Sequence, residues 1–227
     1  VEVETSEGRV AYGPVEVSDV PSLLEAGILE GKQHPLYLGN IEELPYFKNQ
    51  NRLTFARVGL TDPVNINDYI ANAGYRGLKN ALNLQPAEIV KQVTDSGLRG
   101  RGGAAFPTGI KWNTVLNAPA EQKYIVCNAD EGDSGTFSDR MIMEGDPFVL
   151  IEGMTIAGLA VGATQGYIYL RVEYPHAQIA LNQAIAAAYA NGYLGDNIQN
   201  SGKTFNLEVR KIGRAHVWTP VTAIDLV

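Results

Sequence analysis

The chain has a single cysteine, Cys127, in 227 residues. One thiol excludes an internal disulfide framework, points to a reducing compartment and leaves a cysteine-ligated cluster short of ligands. Histidine is almost as scarce. His34, His176 and His216 are scattered and show no metal-ligand spacing, so no metal site is expected. An excess of positive charge is also lacking: the formal net charge is -7 and the pI about 5.0. Non-specific nucleic-acid binding rests on a basic footprint, so nucleic acid is excluded as the main partner. No apolar run is suited to a bilayer. The longest, Pro147 to Ala163, is broken by Glu152 and reads as a buried helix, so direct membrane insertion is not expected. The N-terminus has no initiator Met, no basic segment and no apolar core of a signal peptide, and the expectation is that it begins within a longer protein. Gly-x-Ser-x-Gly and His-Glu-x-x-His patterns are missing as well.

What is present gathers first in Ser96 to Trp112. Gly97, Gly100, Gly102, Gly103 and Gly109 surround Arg99 and Arg101, and Lys111 follows. Backbone without a Cβ lets N–H groups approach a ligand, and the cations offset anionic charge, so the composition suits a phosphate or a dinucleotide. Phe106 adds a flat apolar face for a ring. Gly100-x-Gly102-x-x-Ala105 satisfies the loose dinucleotide fingerprint, which requires a preceding strand. Here Pro86 to Ser96 reads as a helix instead, with Ile89, Val90 and Val93 at helical spacing and Gly97 as its stop. The standard Rossmann placement therefore fails on context, and a glycine-rich surface loop stands beside the phosphate cradle as a reading of this stretch.

With 45% hydrophobic residues the chain can bury a sizeable core. Residues 1–29 read as a hairpin followed by a helix with Pro21 in its first turn, the end of a small α+β domain. Residues 30–60 read as a connector. Residues 61–210 read as the main domain, with a loop and a helix over Asp62 to Leu82; after the glycine loop it settles into alternation: a strand at Lys123 to Cys127, a helix begun by Asp146 and Pro147, a strand at Gly166 to Arg171, a helix opened by Pro175 and stopped at Gly192, and a strand at Phe205 to Val209. This predicts an α/β domain, a Rossmann-like parallel sheet with right-handed crossovers and helices on both faces.

Ligands of such sheets sit beyond the carboxyl ends of the strands. That rule selects Asn128 to Thr136, with three carboxylates and two glycines. Asn128 and Asp130 suit ribose or ribityl hydroxyls or a ring imide, and Glu131 and Asp133 disfavour extra phosphate by repulsion. A self-capped acidic turn is the plain alternative. Gly202-Lys203-Thr204 lacks the earlier glycine of a P-loop, since that position is Asn197, and reads as a turn. Cys127 reads as a small buried hydrophobe.

Gly97 to Trp112, followed by Val-Cys-Asn-Ala-Asp-Glu-Gly-Asp-Ser-Gly-Thr-Phe at 126–137 and Asp-Arg-Met-Ile-Met-Glu-Gly-Asp-Pro-Phe at 139–148, resembles the NADH-binding flavoprotein subunit of respiratory complex I and its relatives. Within that family, residues 131–137 and Gly8-Arg9-Val10-Ala11-Tyr12-Gly13-Pro14 resemble most the beta (diaphorase) subunit of soluble NAD-dependent formate dehydrogenases. The resemblance implies FMN held by Gly100, Arg101, Gly102, Gly103, Lys111, Asn128 and Asp130. It implies NAD(H) docked against Phe106, with Glu131, as the catalytic group, and Asp133 on the nicotinamide and ribose side. It also implies that residues 1–29 end a thioredoxin-like iron–sulfur module. The partners implied are an iron–sulfur gamma-type subunit and a catalytic alpha-type subunit, in the cytoplasm.

The family continues past the last strand with a Cys-Gly-Glu-Glu segment and a domain carrying a 4Fe-4S cluster. Residues 211–227 stand there instead and resemble translated sequencing-adapter DNA with a stop codon read as Trp218, so a non-native tail and an inactive isolated fragment are expected. Complex I proper and a bidirectional hydrogenase are the sister readings. A non-redox nucleotide-binding or scaffolding module is the alternative of another class.

Overall fold

The computed structural model describes residues 1–101, 103–133 and 135–213. Most of the expected tail, residues 214–227, lies outside the described residues, as do Gly102 and Ser134. The chain divides into two compact units, Val1–Thr54 and Phe55–Val227.

In the first unit, strands β1 (Glu2–Thr5) and β2 (Gly8–Tyr12) form an antiparallel hairpin with Val3 opposite Val10. Helix α1 (Val20–Ala26) follows, with proline in its first turn, and ends at Gly27, whose φ of 81° is the left-handed geometry a helix stop needs. Strand β3 (Tyr37–Asn40) pairs with β2, and α2 (Pro45–Lys48) closes the unit. The segment expected as a connector thus supplies the third strand. Val10, Tyr12, Leu23 and Ile28 form its small core.

The second unit opens with α3 (Ile66–Ala71), α4 (Arg76–Ala81), α5 (Pro86–Asp95) and α6 (Thr108–Asn117). Then come β4 (Tyr124–Ala129), α7 (Ser138–Gly145), α8 (Pro147–Val161), β5 (Gln165–Arg171), α9 (Pro175–Ala190) and β6 (Asn206–Ile212). The parallel sheet runs in the order β4-β5-β6, with Ile125 beside Gly166 and Gly166 beside Leu207. β6 continues through Lys211 and Ile212, past the expected end at Val209.

With strand order equal to chain order, right-handed connections bring α8 and α9 to one face of the sheet. There Ile125, Cys127, Ala129, Ile168 and Leu170 are fully buried, whereas Tyr124, Val126 and Tyr169 are exposed on the other. α8 is apolar nearly all round because it is enclosed by α4, α5, α6, α7 and α9 as well as the sheet. Its one charge, Glu152, is buried and satisfied: the Tyr69 hydroxyl donates to it at 2.6 Å, and the Tyr75 and Leu78 amides at 2.8 and 2.9 Å. Asp146 precedes α8 but makes no side-chain cap; it accepts from Arg57 Nε at 2.9 Å. No helix among the described residues is long and apolar enough to cross a membrane, and none of their His, Cys, Asp and Glu side chains form a group of three suited to a metal ion.

Candidate functional site

The glycine-rich stretch forms a loop tied at its base. Gly100 N donates to Phe106 O at 2.8 Å, Thr108 N to Leu98 O at 2.9 Å, and Arg99 Nε to Ala105 O at 2.8 Å. Arg99 therefore serves the loop itself. A Cβ at Gly103 would meet nothing within 4 Å, which leaves open space beside that backbone. Gly109 has a different job. A Cβ there would stand 2.7 Å from Thr94 Cα, so this glycine lets α6 lie against α5.

Beside the loop is a cavity of about 350 Å³, lined by Leu98, Gly100, Arg101, Lys111, Trp112 and Ile156 among others. Volumes of this order are at the small end for organic ligands. Its lining combines the first turns of α6, the middle of α8 and the cationic loop. Trp112 is buried, and its indole Nε1 finds no hydrogen-bond partner among the described residues. Nε1 itself has almost no accessible surface, so the indole N–H is turned into the packing and Trp112 meets the cavity with other atoms. On the outer side of α6 a shallower concavity of about 390 Å³ is formed by Phe106, Ile110, Lys111, Thr114 and Val115. Phe106 is 44% exposed, and Lys111 Nζ lies 6.0 Å from its ring centroid, so Lys111 borders both spaces.

The acidic segment follows β4. Asn128 Oδ1 accepts from Asp130 N at 3.2 Å, and Asp130 Oδ1 lies 3.5 Å from Arg171 Nη1. The Asp133 carbonyl accepts from Thr136 Oγ1 at 2.6 Å, closing a turn. Glu131 is buried at the start of α7. One oxygen accepts from Ser138 N at 2.8 Å, Ser138 Oγ at 2.9 Å and Asp139 N at 3.3 Å; the other accepts from Arg140 N at 3.2 Å. Its carboxylate is thus a helix cap, occupied by four donors. Next to it, burial and then the Glu131 charge push the Asp139 carboxyl up to about 6.

Of the residues expected at the site, Gly100, Arg101 and Lys111 meet at one cavity, with Phe106 joined to Lys111 on the adjoining surface. Asn128, Asp130, Glu131 and Asp133 share the carboxyl end of β4 and are not among that cavity's lining residues. The reading of single residues passed over Trp112, Arg171 and Tyr174. Trp112 closes the glycine stretch itself; Arg171 is the last residue of β5 and Tyr174 follows it, where the rule of strand carboxyl ends also points. Cys127 is fully buried, its thiol pushed up to about 12 by desolvation, and His176 is exposed. Lys203 Nζ donates to the carbonyls of Ala81 and Leu84 at 3.3 and 2.8 Å, closing the end of α4 as part of a turn.

A model of the Nuo51 FMN-binding domain matches residues 93–224. The chain is 50% identical over 177 residues to the HndC subunit of the NADP-reducing hydrogenase of Solidesulfovibrio fructosivorans, a match covering 78% of this chain and 36% of that protein. It is 48% identical over 160 residues to the second F subunit of the NADH-quinone oxidoreductase of Rhizobium meliloti (strain 1021), covering 70% and 38%. For the F subunit of the Escherichia coli (strain K12) NADH-quinone oxidoreductase the identity is 44% over 164 residues, covering 71% and 37%. A crystal structure of an NAD+-reducing NiFe-hydrogenase in the H2-reduced state superposes with a TM-score of 0.52 at 27% identity, covering 91% of this chain and 32% of that one. The chain therefore spans 36 to 38% of the length of these three curated relatives. Over the matched residues, glycine loop, parallel sheet and acidic strand end included, the chain belongs to the Nuo51 FMN-binding domain family.

Proposed function

We propose that this chain is the FMN- and NAD(H)-binding part of an NADH:acceptor oxidoreductase (diaphorase) subunit. The observation that carries the reading is the cavity at the start of α6, where Cβ-free backbone, Arg101 and Lys111 adjoin Trp112, Leu98 and Ile156. Those residues fit the group: cations for a phosphate and apolar walls for a ring.

In this reading FMN is held by Gly100, Arg101, Gly102, Gly103, Lys111, Asn128 and Asp130. NAD(H) lies against Phe106, whose exposed ring offers a stacking face beside the Lys111 charge. Asp133 and Glu131 serve the nicotinamide and ribose side. Because the Glu131 carboxylate already caps α7, its contribution is to hold the loop in place and keep a negative charge there, not to move a proton. When bound, the flavin supplies hydride exchange with NAD(H) and electron transfer to iron–sulfur clusters; the protein supplies orientation and electrostatics.

Hydrogenase and quinone-oxidoreductase subunits among the relatives support work within a multi-subunit complex. The finer reading is the beta subunit of an NAD-dependent formate dehydrogenase, with residues 1–29 as the end of a thioredoxin-like module and residues 211–227 as a foreign tail. The formate dehydrogenase reading rests on the segments at 8–14 and 131–137, and the tail on the sequence of residues 211–227. The test is to isolate the full-length subunit in its native complex, add NADH without oxygen, and follow flavin absorption. Bleaching by NADH, and by formate in the same complex, is expected. Bleaching by NADH and hydrogen but not formate replaces the formate dehydrogenase reading with a hydrogenase. A complex without flavin puts the non-redox module ahead.

A further inference from the structure

The acidic loop is held from two sides. Its front is fixed by the Glu131 carboxylate on the first amides of α7. Its back is fixed through the Glu131 carbonyl, which accepts from the Tyr174 hydroxyl at 2.8 Å and from Arg171 Nη1 at 3.4 Å. The same Arg171 atom lies 3.5 Å from Asp130 Oδ1, and Arg171 Nε lies 3.1 Å from Glu173. Tyr174 is buried at the N-cap position of α9, and the guanidinium carbons of Arg140 and Arg171 lie 5.7 and 5.8 Å from its ring centroid. Its hydroxyl thus crosses from the β5–α9 corner to the β4–α7 loop, 43 residues earlier in the chain.

A buried phenol needs one partner for its hydroxyl, and a backbone carbonyl at 2.8 Å satisfies it. The choice of partner matters. The Glu131 carbonyl sets the peptide plane between Glu131 and Gly132, and the Asp130 carboxylate is the neighbour that Arg171 turns toward itself. We propose that Tyr174 and Arg171 are positioning residues for the nucleotide site, fixing the backbone of the Asn128–Asp133 segment in the form that receives the dinucleotide. This rests on the FMN and NAD(H) reading above. Neither side chain is asked to touch a reacting atom; both act through the loop.

Tyr174→Phe keeps the ring and its packing and removes only the tie. In the full-length subunit within its complex, amide hydrogen exchange over residues 130–138 is expected to speed up by roughly fivefold, the population change of one lost hydrogen bond. The KM for NADH is expected to rise by a similar factor in protein saturated with FMN, with kcat within about twofold of wild type. Arg171→Lys, which keeps the charge beside Asp130, is expected to lie between the two. Unchanged exchange in Tyr174→Phe overturns the tie. Faster exchange with unchanged KM overturns the positioning role and leaves a structural one. Wild-type protein that takes up no FMN removes the parent reading, and this proposal with it.

Discussion

Asp139 stands in the first turn of α7, half-buried beside Glu131, with its carboxyl pushed up to about 6 from an ordinary 3.8. The folded chain binds this proton more tightly than the unfolded one. The associated stability is therefore complete below about pH 4 and is lost as the pH rises through about 6. Asp139→Asn removes the penalty. Urea unfolding should find the variant more stable than wild type by about 1–2 kcal/mol at pH 7.5, after allowing for partial solvent screening, and equal to it at pH 4. A difference of the same size at both pH values would contradict the assignment. By type and spacing Glu131 and Asp133 form one functional pair, but burial separates their work. Glu131 sits where four donors await an acceptor, whereas Asp133 occupies a turn closed by its own backbone. Residue type and spacing made the segment visible; which carboxylate would be spent on a helix start depends on where α7 begins, and that is set by tertiary contacts.

Among the elements, α8 shows how glycine positions divide by surroundings. A Cβ at Gly158 would stand 2.5 Å from Phe205 Cδ2, whereas a Cβ at Gly153 would meet nothing within 4 Å. Gly158→Ala should therefore lower stability by about 1–3 kcal/mol through overpacking. Gly153→Ala should raise it by about 0.5–1 kcal/mol, because alanine loses less backbone freedom in a helix. Thermal unfolding of the pair checks both signs at once; destabilisation by both would place Gly153 in a tighter environment than the structure gives it. Strands β4, β5 and β6 and helices α8 and α9 are legible from apolar runs and proline or glycine punctuation, with strand ends moved by at most three residues. Strand β3 was not. Tyr37–Asn40 is short and carries a glycine with φ 102°, so its pairing with β2 comes from the hairpin that offers it an edge. In the sequence Gly109 looks like part of the phosphate cradle, and only the packing of α5 against α6 reveals why it is glycine.

For the whole molecule, two features join fold to function. The parallel sheet sends its strand ends toward one side, and the helix that follows the glycine loop carries Lys111 and Trp112 to a cavity with α8. The family match over residues 93–224 makes an FMN-binding fold of this unit, and the matched stretch begins just before the loop. Trp112 is silent as a site residue in the sequence for a physical reason: a tryptophan at helical spacing is usually core, and the cavity it lines emerges only once the packing of α6 on α8 is known. The most direct measurement is an FMN titration of the full-length subunit, wild type against Arg101→Ala and Lys111→Ala, followed by flavin fluorescence at fixed ionic strength. The account predicts saturable one-to-one binding by wild type. Each variant should weaken it by roughly tenfold to a hundredfold, the loss expected for a charge-assisted contact to phosphate. Equal FMN affinity in all three proteins would contradict the placement of the flavin at the glycine loop.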